Sequence, residues 1–226
     1  MQKNEWKQTW DKVHSRETTN LIEKDGFEKV IKNKECLDKI VESIFTKLDY
    51  RYGKKILEVG AGSGMIIEKL LQNHSVSKDD LYGCDYSESA FNNLRKILWL
   101  SHIEKCEANQ IGSMYIHEKF DVVFCNSVFH YFSDYKYAEE TLLAMKKLIK
   151  PKGKICIFDI CDINSADEHD YKRMSSRLTG DKPHLYYPLS FFTSYMSHKL
   201  QMNCSTFLNN IEDYAYYQKR MNVIYG

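Results

Sequence analysis

The sequence has neither a long apolar run nor an excess of one charge. Its apolar runs are too short to span a bilayer, and its first residues, Met1–Trp6, lack the apolar core of a signal peptide. The 32 lysines and arginines against 31 aspartates and glutamates leave a formal charge of +1, so no overall field attracts nucleic acid or a membrane. We therefore expect a small-molecule partner, with no membrane and no nucleic acid, although a local basic groove stays open.

The cysteines lack the spacing of a crosslinked or metal-binding protein. There are seven, an odd number, with no C-x-x-C pair, and several fall in apolar strand patterns. This pattern excludes a disulfide framework and a zinc site of the usual spacing. A reducing cytoplasm is the simplest setting, and 226 residues suffice for one substantial α/β domain but not for two.

The stretch 54–64 reads as a buried strand that runs into a glycine-rich turn. Ile56, Leu57 and Val59 form the apolar run of a parallel strand, and an amphipathic helix, Met65–Asn73, follows the turn. The three glycines of the turn allow a ligand to approach the backbone closely. At this point a tight turn with no ligand remains the alternative.

The residues around the turn separate three kinds of nucleotide-binding loop. No lysine follows Gly64, so the turn is not a phosphate-binding P-loop. Met65 stands where a dinucleotide-binding fingerprint has its third glycine, which argues against a nicotinamide-dependent oxidoreductase. The pattern that remains is Glu-x-Gly-x-Gly-x-Gly, with Glu58 at the carboxyl end of the strand, where a carboxylate suits a cationic ligand.

Further strands and helices alternate along the chain. A second strand, 81–86, carries Asp85 at its carboxyl end, 21 residues after Gly64, where a carboxylate can accept both hydroxyls of a ribose. Ser87 is predicted to cap a helix over 88–100. The other predicted elements are a short strand and loop at 105–110, a strand at 120–126, a helix at 137–150, a strand at 154–160, a helix at 189–200 and a terminal antiparallel pair at 203–208 and 220–225.

Two motifs resemble those of one enzyme family. Glu58-Val-Gly-Ala-Gly-Ser-Gly64 is similar to the first motif of class I S-adenosylmethionine-dependent methyltransferases, and Phe120-Asp-Val-Val123 is similar to their fourth. The continuation Ser127-Val-Phe-His-Tyr131 resembles members that act on small molecules. The resemblance runs from about Lys54 to Ile160. It implies a Rossmann-like, doubly wound α/β sheet of seven strands, mostly parallel with an antiparallel C-terminal strand, and S-adenosyl-L-methionine as the cofactor.

The resemblance also implies a set of cofactor-binding residues at the carboxyl edge of the sheet. Glu58 would face the cationic part of the cofactor, Asp85 its ribose, and an amide from Asn109 or Gln110 its adenine, where the family often has an acidic residue. The full set is Glu58, Gly60, Ala61, Gly62, Gly64, Asp85, Tyr86, Asn109, Gln110, Asn126 and Ser127.

The acceptor site is expected in two segments outside the motifs. Residues 1–50 are predicted to form a helical lid of the same domain, with Trp10, His14 and Arg16 as candidate lid residues, unless the tryptophans only anchor the helix; residues 51–226 form the domain itself. A polar, tyrosine-rich insertion at about 162–188 could hold an anionic acceptor or could be a solvated loop. The predicted substrate-binding residues are Tyr131, Arg173, Arg177, His184, Tyr186 and Tyr187.

Methyl transfer needs alignment of the reacting atoms and, for a protonated nucleophile, a base. His130 is the first candidate base, with packing beside the cofactor as the alternative, and Asp159 could serve as base or orient the acceptor. His169 and His184 are weaker candidates, and no metal is predicted. The expected protein is a cytoplasmic methyltransferase, monomeric or homodimeric, acting on oxygen, or else nitrogen, of a small polar metabolite; a phosphorylated or sugar-linked acceptor would suit the insertion. The alternative is a catalytically silent cofactor-binding partner protein.

Overall fold

Seven strands form one sheet at the centre of the computed structural model, which describes residues 2–166 and 184–226. The strand order is β3-β2-β1-β4-β5-β7-β6. The strands are β1 (Ile56–Val59), β2 (Leu81–Asp85), β3 (Ile103–Lys105), β4 (Phe120–Asn126), β5 (Ile149–Cys161), β6 (Cys204–Leu208) and β7 (Arg220–Tyr225). The predicted fold is thus confirmed, with β7 as the strand that runs antiparallel to its two neighbours.

The pairing of the strands fixes where a ligand can bind. β1 pairs in parallel with β2 on one side and with β4 on the other, whereas β7 runs antiparallel to both β5 and β6. The strand order reverses between β1 and β4, and doubly wound sheets bind ligands in the crevice beyond the carboxyl ends of the strands at such a point. Glu58, Asp85 and Asn126 lie at those ends.

Helices cover both faces of the sheet. They are α1 (Gln2–His14), α2 (Leu21–Lys24), α3 (Lys34–Leu48), α4 (Met65–Asn73), α5 (Glu88–Ile97), α6 (Ile111–Met114), α7 (Tyr135–Leu148) and α8 (Ser197–Leu200), the last preceded by a π-helical stretch, Phe191–Met196. The Ser87 hydroxyl caps α5 by accepting from the N–H of Ala90. No helix in the described ranges is long and apolar enough to cross a membrane.

Several predicted element boundaries differ from the structure; α7, for example, begins and ends two residues before the predicted helix at 137–150. β3 comes earlier than expected, because Ile103–Lys105 are the residues that pair with Gly83–Asp85 of β2. β5 begins at Ile149 and not at the predicted residue 154, because the chain around Pro151 stays in the strand as a bulge, where the pairing with β4 shifts register. α5 ends three residues early, at Ile97, and Leu98 is already extended.

The N-terminal segment packs over the carboxyl edge of the sheet. Trp6, Trp10 and Val13 of α1 are buried against Tyr86 and Tyr131. All seven cysteines lie in the described part of the chain and are free thiols.

Candidate active site

The glycine-rich turn after β1 has a backbone that only glycine adopts without strain. Gly60, Gly62 and Gly64 have φ angles of +72°, +56° and +91°. A Cβ atom on Gly60 would lie 2.6 Å from a methyl group of Val128, and a Cβ atom on Gly62 would lie 2.8 Å from Oδ1 of Asp25. The turn therefore lets two neighbouring segments approach the end of β1 closely.

A first cavity of about 1050 Å³ opens at this turn, beyond the carboxyl ends of β1, β2 and β4. Eight of the predicted cofactor-binding residues line it: Glu58, Gly60, Ala61, Gly62, Asp85, Tyr86, Asn126 and Ser127. Gly64 does not, because it forms the N-cap of α4. The structure thus brings these eight residues together at the carboxyl edge of the sheet.

Three buried carboxylates converge on the first cavity. Glu58 is 2% exposed, and its Oε2 has no hydrogen-bond partner among the described residues. Burial, and then the charges of Asp25 and Asp85, raise the pKa of Glu58 well above its ordinary value. Burial also raises the pKa of Asp25, and raises that of Asp85 to about 6. A cationic ligand would relieve this mutual repulsion and give the unpaired oxygen a partner.

The carboxylate of Asp85 is held in place by backbone donors. Its Oδ2 accepts from the N–H of Gly62 at 3.0 Å, and its Oδ1 accepts from the N–H of Ser87 at 2.9 Å. These bonds favour the ionised form and partly offset the effect of burial. The side chain of Asp85 is therefore held in place at the cavity before a ligand binds.

The residues after β3 need a correction. Cys106, Glu107 and Ala108 line the first cavity, whereas Asn109 and Gln110 do not. Because β3 ends at Lys105, the chain has already turned by the time it reaches Asn109, whose amide donates to Glu140 at the surface, and Gln110 is exposed. The family often has an acidic residue near this point, and here an acidic residue, Glu107, stands two positions before Asn109. Its carboxylate accepts a hydrogen bond from the Tyr137 hydroxyl at 2.8 Å.

The N-terminal segment supplies one wall of the first cavity. Trp6, Trp10 and His14 line it, and the Trp6 and Trp10 rings lie 4.7 and 4.9 Å from the ring of Tyr131. Of the candidate lid residues, Arg16 lines neither cavity and instead pairs with Glu28 at 3.1 Å.

A second cavity, of about 590 Å³, adjoins the first. The two share five lining residues, Trp10, Asp25, Phe27, Ser127 and Tyr131, which we call the shared wall. The remaining residues of the second cavity are Gly26, Lys29, Val30, His130, Asp159, His184, Tyr214, Tyr216 and Arg220. Both predicted catalytic residues, His130 and Asp159, therefore lie in this cavity and not in the first.

His130 is buried beside a cation. Its Nδ1 lies 3.3 Å from Nη1 of Arg220, and because arginine only donates, Nδ1 must accept. Burial, followed by the charge of Arg220, holds the pKa of His130 well below its ordinary range. Nδ1 of His130 already accepts a hydrogen bond, and protonation of the ring is unfavourable beside Arg220. His130 is therefore a poor general base, and the geometry favours a role in positioning the acceptor.

Asp159 lies at a bend of β5 with a φ of +59°. Its Oδ2 accepts from the Ser127 hydroxyl, and from the Tyr214 hydroxyl at 3.0 Å, while its buried Oδ1 has no partner among the described residues. Its backbone N–H donates to the side chain of Asn222 at 2.9 Å. Asp159 thus connects the shared wall to the far side of the second cavity.

The predicted substrate-binding residues fall into three groups. Tyr131 and His184 line the second cavity. Tyr187 is a correction, because it is fully buried in the core and its hydroxyl donates to the carbonyl of Phe129 at 2.9 Å; Tyr186 lines neither cavity. Arg173 and Arg177, with His169, lie outside the described residues.

Sequence reasoning missed Arg220, Asp25 and the tyrosines Tyr214 and Tyr216. A signal for Arg220 exists: a charged residue opens an otherwise largely apolar strand whose neighbours in the sheet bury it. Asp25 gives no such signal, since it follows a four-residue helix in a polar segment.

Comparisons with known proteins agree with this arrangement. Residues 57–155 match the family model described as a methyltransferase domain. A curated relative, a hybrid PKS-NRPS synthetase from Penicillium oxalicum, is 26% identical over 132 residues, which are 55% of this chain and 3% of that protein. The chain therefore spans about 3% of the length of the curated relatives that it matches.

Solved structures share the fold at low identity. Magnesium protoporphyrin IX methyltransferase from Synechocystis PCC 6803 with bound S-adenosylhomocysteine has a TM-score of 0.62 and 14% identity, covering 96% of this chain and 93% of that one. A S-adenosylmethionine-dependent methyltransferase from Clostridium acetobutylicum gives 0.57 and 13%, covering 88% and 94%. An O-methyltransferase family protein from Burkholderia thailandensis gives 0.57 and 14%, covering 84% and 57%.

The sheet order, the glycine turn and the cavity define a Rossmann-like fold whose β1/β4 switch point has a cavity suited to a small cationic ligand. Residues 57–155 thus match a methyltransferase domain, and the described chain shares the fold of solved methyltransferases, among them one with bound S-adenosylhomocysteine. The family resemblance read from the sequence is confirmed.

Proposed function

We propose that the first cavity holds S-adenosylmethionine, that the second holds a small-molecule acceptor, and that a methyl group passes between them at the shared wall. The observation that carries this proposal is the adjacency of the two cavities across Trp10, Asp25, Phe27, Ser127 and Tyr131. When bound, the cofactor supplies a methyl group on a sulfonium that is already activated for displacement.

The residues of the first cavity match the polar parts of this cofactor. Asp85, prepositioned by the N–H groups of Gly62 and Ser87, would accept the two ribose hydroxyls. Glu58 and Asp25 would balance the positive charge of the amino group and the sulfonium. Glu107 would accept from the exocyclic amine of adenine.

Asp25 is our candidate for the group that accepts a proton. It is the one carboxylate of the shared wall, so it reaches the boundary that an acceptor atom must approach. Burial raises its pKa in the free protein, and a nearby cation would keep it ionised. An acceptor hydroxyl at the wall would lose its proton to Asp25, which favours methylation of oxygen over an amine that is already unprotonated.

Calorimetric titration of the full chain with S-adenosylhomocysteine, with NAD as the control ligand, tests the cofactor assignment. Binding of the first alone supports it, and binding of NAD or of neither ligand overturns it. Incubation with methyl-labelled S-adenosylmethionine and a panel of phenols, sugars, carboxylic acids and phosphorylated alcohols then tests transfer. Cofactor binding without labelling of any acceptor in the panel would favour the alternative of a silent cofactor-binding partner.

A further inference from the structure

Arg220 places a buried positive charge in the second cavity. The residue is 3% exposed and is the first residue of β7, opposite Cys161 of β5. Its Nη1 contacts Nδ1 of His130 and Sγ of Cys161, and its guanidinium carbon lies 4.3 Å from the ring centre of Tyr216. An arginine side chain stays charged at any pH at which the protein folds.

None of these contacts neutralises the guanidinium. His130 accepts as a neutral ring, Tyr216 offers an aromatic face, and burial raises the pKa of the Cys161 thiol to about 12, so that it too is uncharged. Asp159 shares the cavity and its charge attracts the guanidinium, but its Oδ2 is bonded to two hydroxyl groups, and no direct ion pair joins the two side chains. A buried charge without a direct counter-ion is costly unless a ligand supplies one.

His184 gives an independent sign that a ligand belongs here. It is 9% exposed, and neither of its ring nitrogens has a partner within the part of the chain that the structure describes. Its ring lies 4.8 Å from that of His130 and 5.8 Å from that of Trp6, so it faces the same cavity as Arg220. A neutral imidazole offers one donor and one acceptor, and leaving both unmade in a buried site is unusual.

The other walls indicate the kind of molecule that fits. Aromatic side chains dominate them, namely Trp10, Phe27, Tyr131, Tyr214 and Tyr216. Such walls suit a ring or another flat apolar body, with a few polar groups to fix its orientation. Lys29 also lines the cavity but is exposed, so Arg220 provides the buried positive charge. With Asp159 close by, this charge matches one negative charge better than two, and the forked donors of the guanidinium match the geometry of a carboxylate.

We propose that the second cavity binds an aromatic carboxylic acid whose carboxylate pairs with the guanidinium of Arg220 and whose other polar groups bond to His184. Arg220 lines the second cavity but not the first, so the carboxylate lies away from the cofactor and is an anchor. The atom that receives the methyl group is a hydroxyl elsewhere on the same molecule, at the shared wall. This inference rests on the proposed function and names the acceptor class for it.

The test compares acids with their neutral amides on the full chain saturated with S-adenosylhomocysteine. The probes are para-hydroxybenzoate, para-hydroxyphenylacetate and para-coumarate, each beside its primary amide, titrated by calorimetry. At least one acid should bind roughly tenfold or more tightly than its amide, because a hydrogen-bonded charge pair in a buried site is worth that much. This comparison needs no variant and so does not depend on how a variant folds.

Variants then test whether Arg220 causes the preference for the acid over its amide. Arg220→Gln should weaken binding of the acid roughly tenfold or more and change binding of the amide less than about threefold. Arg220→Lys keeps the positive charge but lacks the forked donors, so its affinity for the acid should lie between those of the unmodified protein and Arg220→Gln. The matched control is Arg16→Gln, which alters a half-buried arginine that pairs with Glu28 and lines neither cavity, and it should change nothing.

The outcomes separate this inference from the function on which it rests. Absence of S-adenosylhomocysteine binding would refute the proposed function itself. Normal binding of that ligand together with no preference for any acid over its amide would overturn the carboxylate assignment alone. Arg220-dependent binding of inorganic phosphate, tighter than that of every acid, would also overturn it, since the anion would then be of another class.

Discussion

The carboxylate of Asp25 accepts a hydrogen bond at 2.7 Å from the backbone N–H of Ser63 and so joins the N-terminal segment to the glycine-rich turn. Nε2 of His14 lies 3.5 Å from the same oxygen. Asn93 of α5 completes the network, because its amide lies 3.1 Å from the carbonyl of His14 and 3.3 Å from the hydroxyl of Ser63. The turn that would hold the cofactor and the wall above it are therefore one hydrogen-bonded unit.

Asp25→Asn separates the charge of this side chain from its shape. The amide oxygen can still accept from Ser63, so we expect a folded protein with a melting temperature close to that of the unmodified chain. Loss of the charge should weaken binding of S-adenosylmethionine roughly tenfold, and loss of a general base should lower the transfer rate by about 10²-fold or more. Asp11→Asn is the control, because Asp11 accepts from the Ser87 hydroxyl at 2.7 Å but lines neither cavity. A transfer rate within about threefold of normal for Asp25→Asn would remove this residue as the base.

Cofactor binding should release protons near pH 6. In the free protein, burial raises the pKa of Asp85 to about 6 and the pKa values of Glu58 and Asp25 above their ordinary ones, so part of this group is protonated there. A bound cation favours the ionised carboxylates and lowers these pKa values. Calorimetry of S-adenosylmethionine in buffers that differ in ionisation enthalpy measures the protons exchanged.

Two comparisons make the proton count specific. S-adenosylhomocysteine lacks the sulfonium charge and should release fewer protons than S-adenosylmethionine. Asp85→Asn removes one titrating group and should reduce the release by about half a proton at pH 6, the amount expected of a group at its midpoint. Proton uptake on binding, or a count that does not change with the ligand, would contradict the charge balance inferred for the first cavity.

The residues of the first cavity could be predicted from the sequence because the patterns that indicate them are local. The helix after the glycine turn has the predicted bounds, Met65–Asn73, and β4 has the predicted bounds, Phe120–Asn126. An apolar run bounded by glycines, or by a carboxylate at its end, depends only on neighbouring residues. Asp85 and Glu58 meet at one sheet edge simply because parallel strands end there together.

The second cavity depends on contacts between parts of the chain that are distant in sequence. β7 lies between β5 and β6, and its register brings Arg220 opposite Cys161, which places a guanidinium beside His130 and Asp159. No local pattern specifies that insertion or that register. β3 was misplaced for a different reason, since a three-residue edge strand with one buried side chain, Ile103, carries too little periodicity to locate it.

Gly62→Ala tests the close approach of Asp25 to the glycine turn. The new Cβ would lie 2.8 Å from Oδ1 of Asp25 on a backbone with a φ of +56°, so the carboxylate must move and the backbone is strained. We expect a loss of about 1–3 kcal/mol in the free energy of unfolding and a clear loss of cofactor affinity. The control is Gly53→Ala, whose φ is +83° and whose Cβ would meet nothing within 4 Å, so it carries the strain alone. Equal effects of the two substitutions on cofactor affinity would show that Asp25 contact is unimportant.

Stability should fall in weak acid because His184 is buried as a neutral ring. Burial, and then the charge of Arg220, lower its pKa from 6.5 to about 3. A lowered histidine pKa means that the unfolded chain binds more protons than the folded one between these values, so the stabilisation is present above pH 6.5 and is lost as the pH falls toward 3. Between pH 7 and pH 5 the loss from this one group is about 2 kcal/mol in the free energy of unfolding.

The contribution of His184 must be separated from other groups that titrate in the same range. Burial lowers the pKa values of His14 and His130 and acts in the same direction, whereas the raised pKa of Asp85 acts in the opposite one. His184→Gln removes only one of these terms, so urea unfolding at pH 7 and pH 5 should show a smaller loss for this variant than for the unmodified protein. His117→Gln, at an exposed histidine, should behave like the unmodified chain. If the His184 variant lost as much stability as both of these proteins, the ring of His184 would have to be protonated or solvated in the folded state, and its place in the acceptor site would be lost with it.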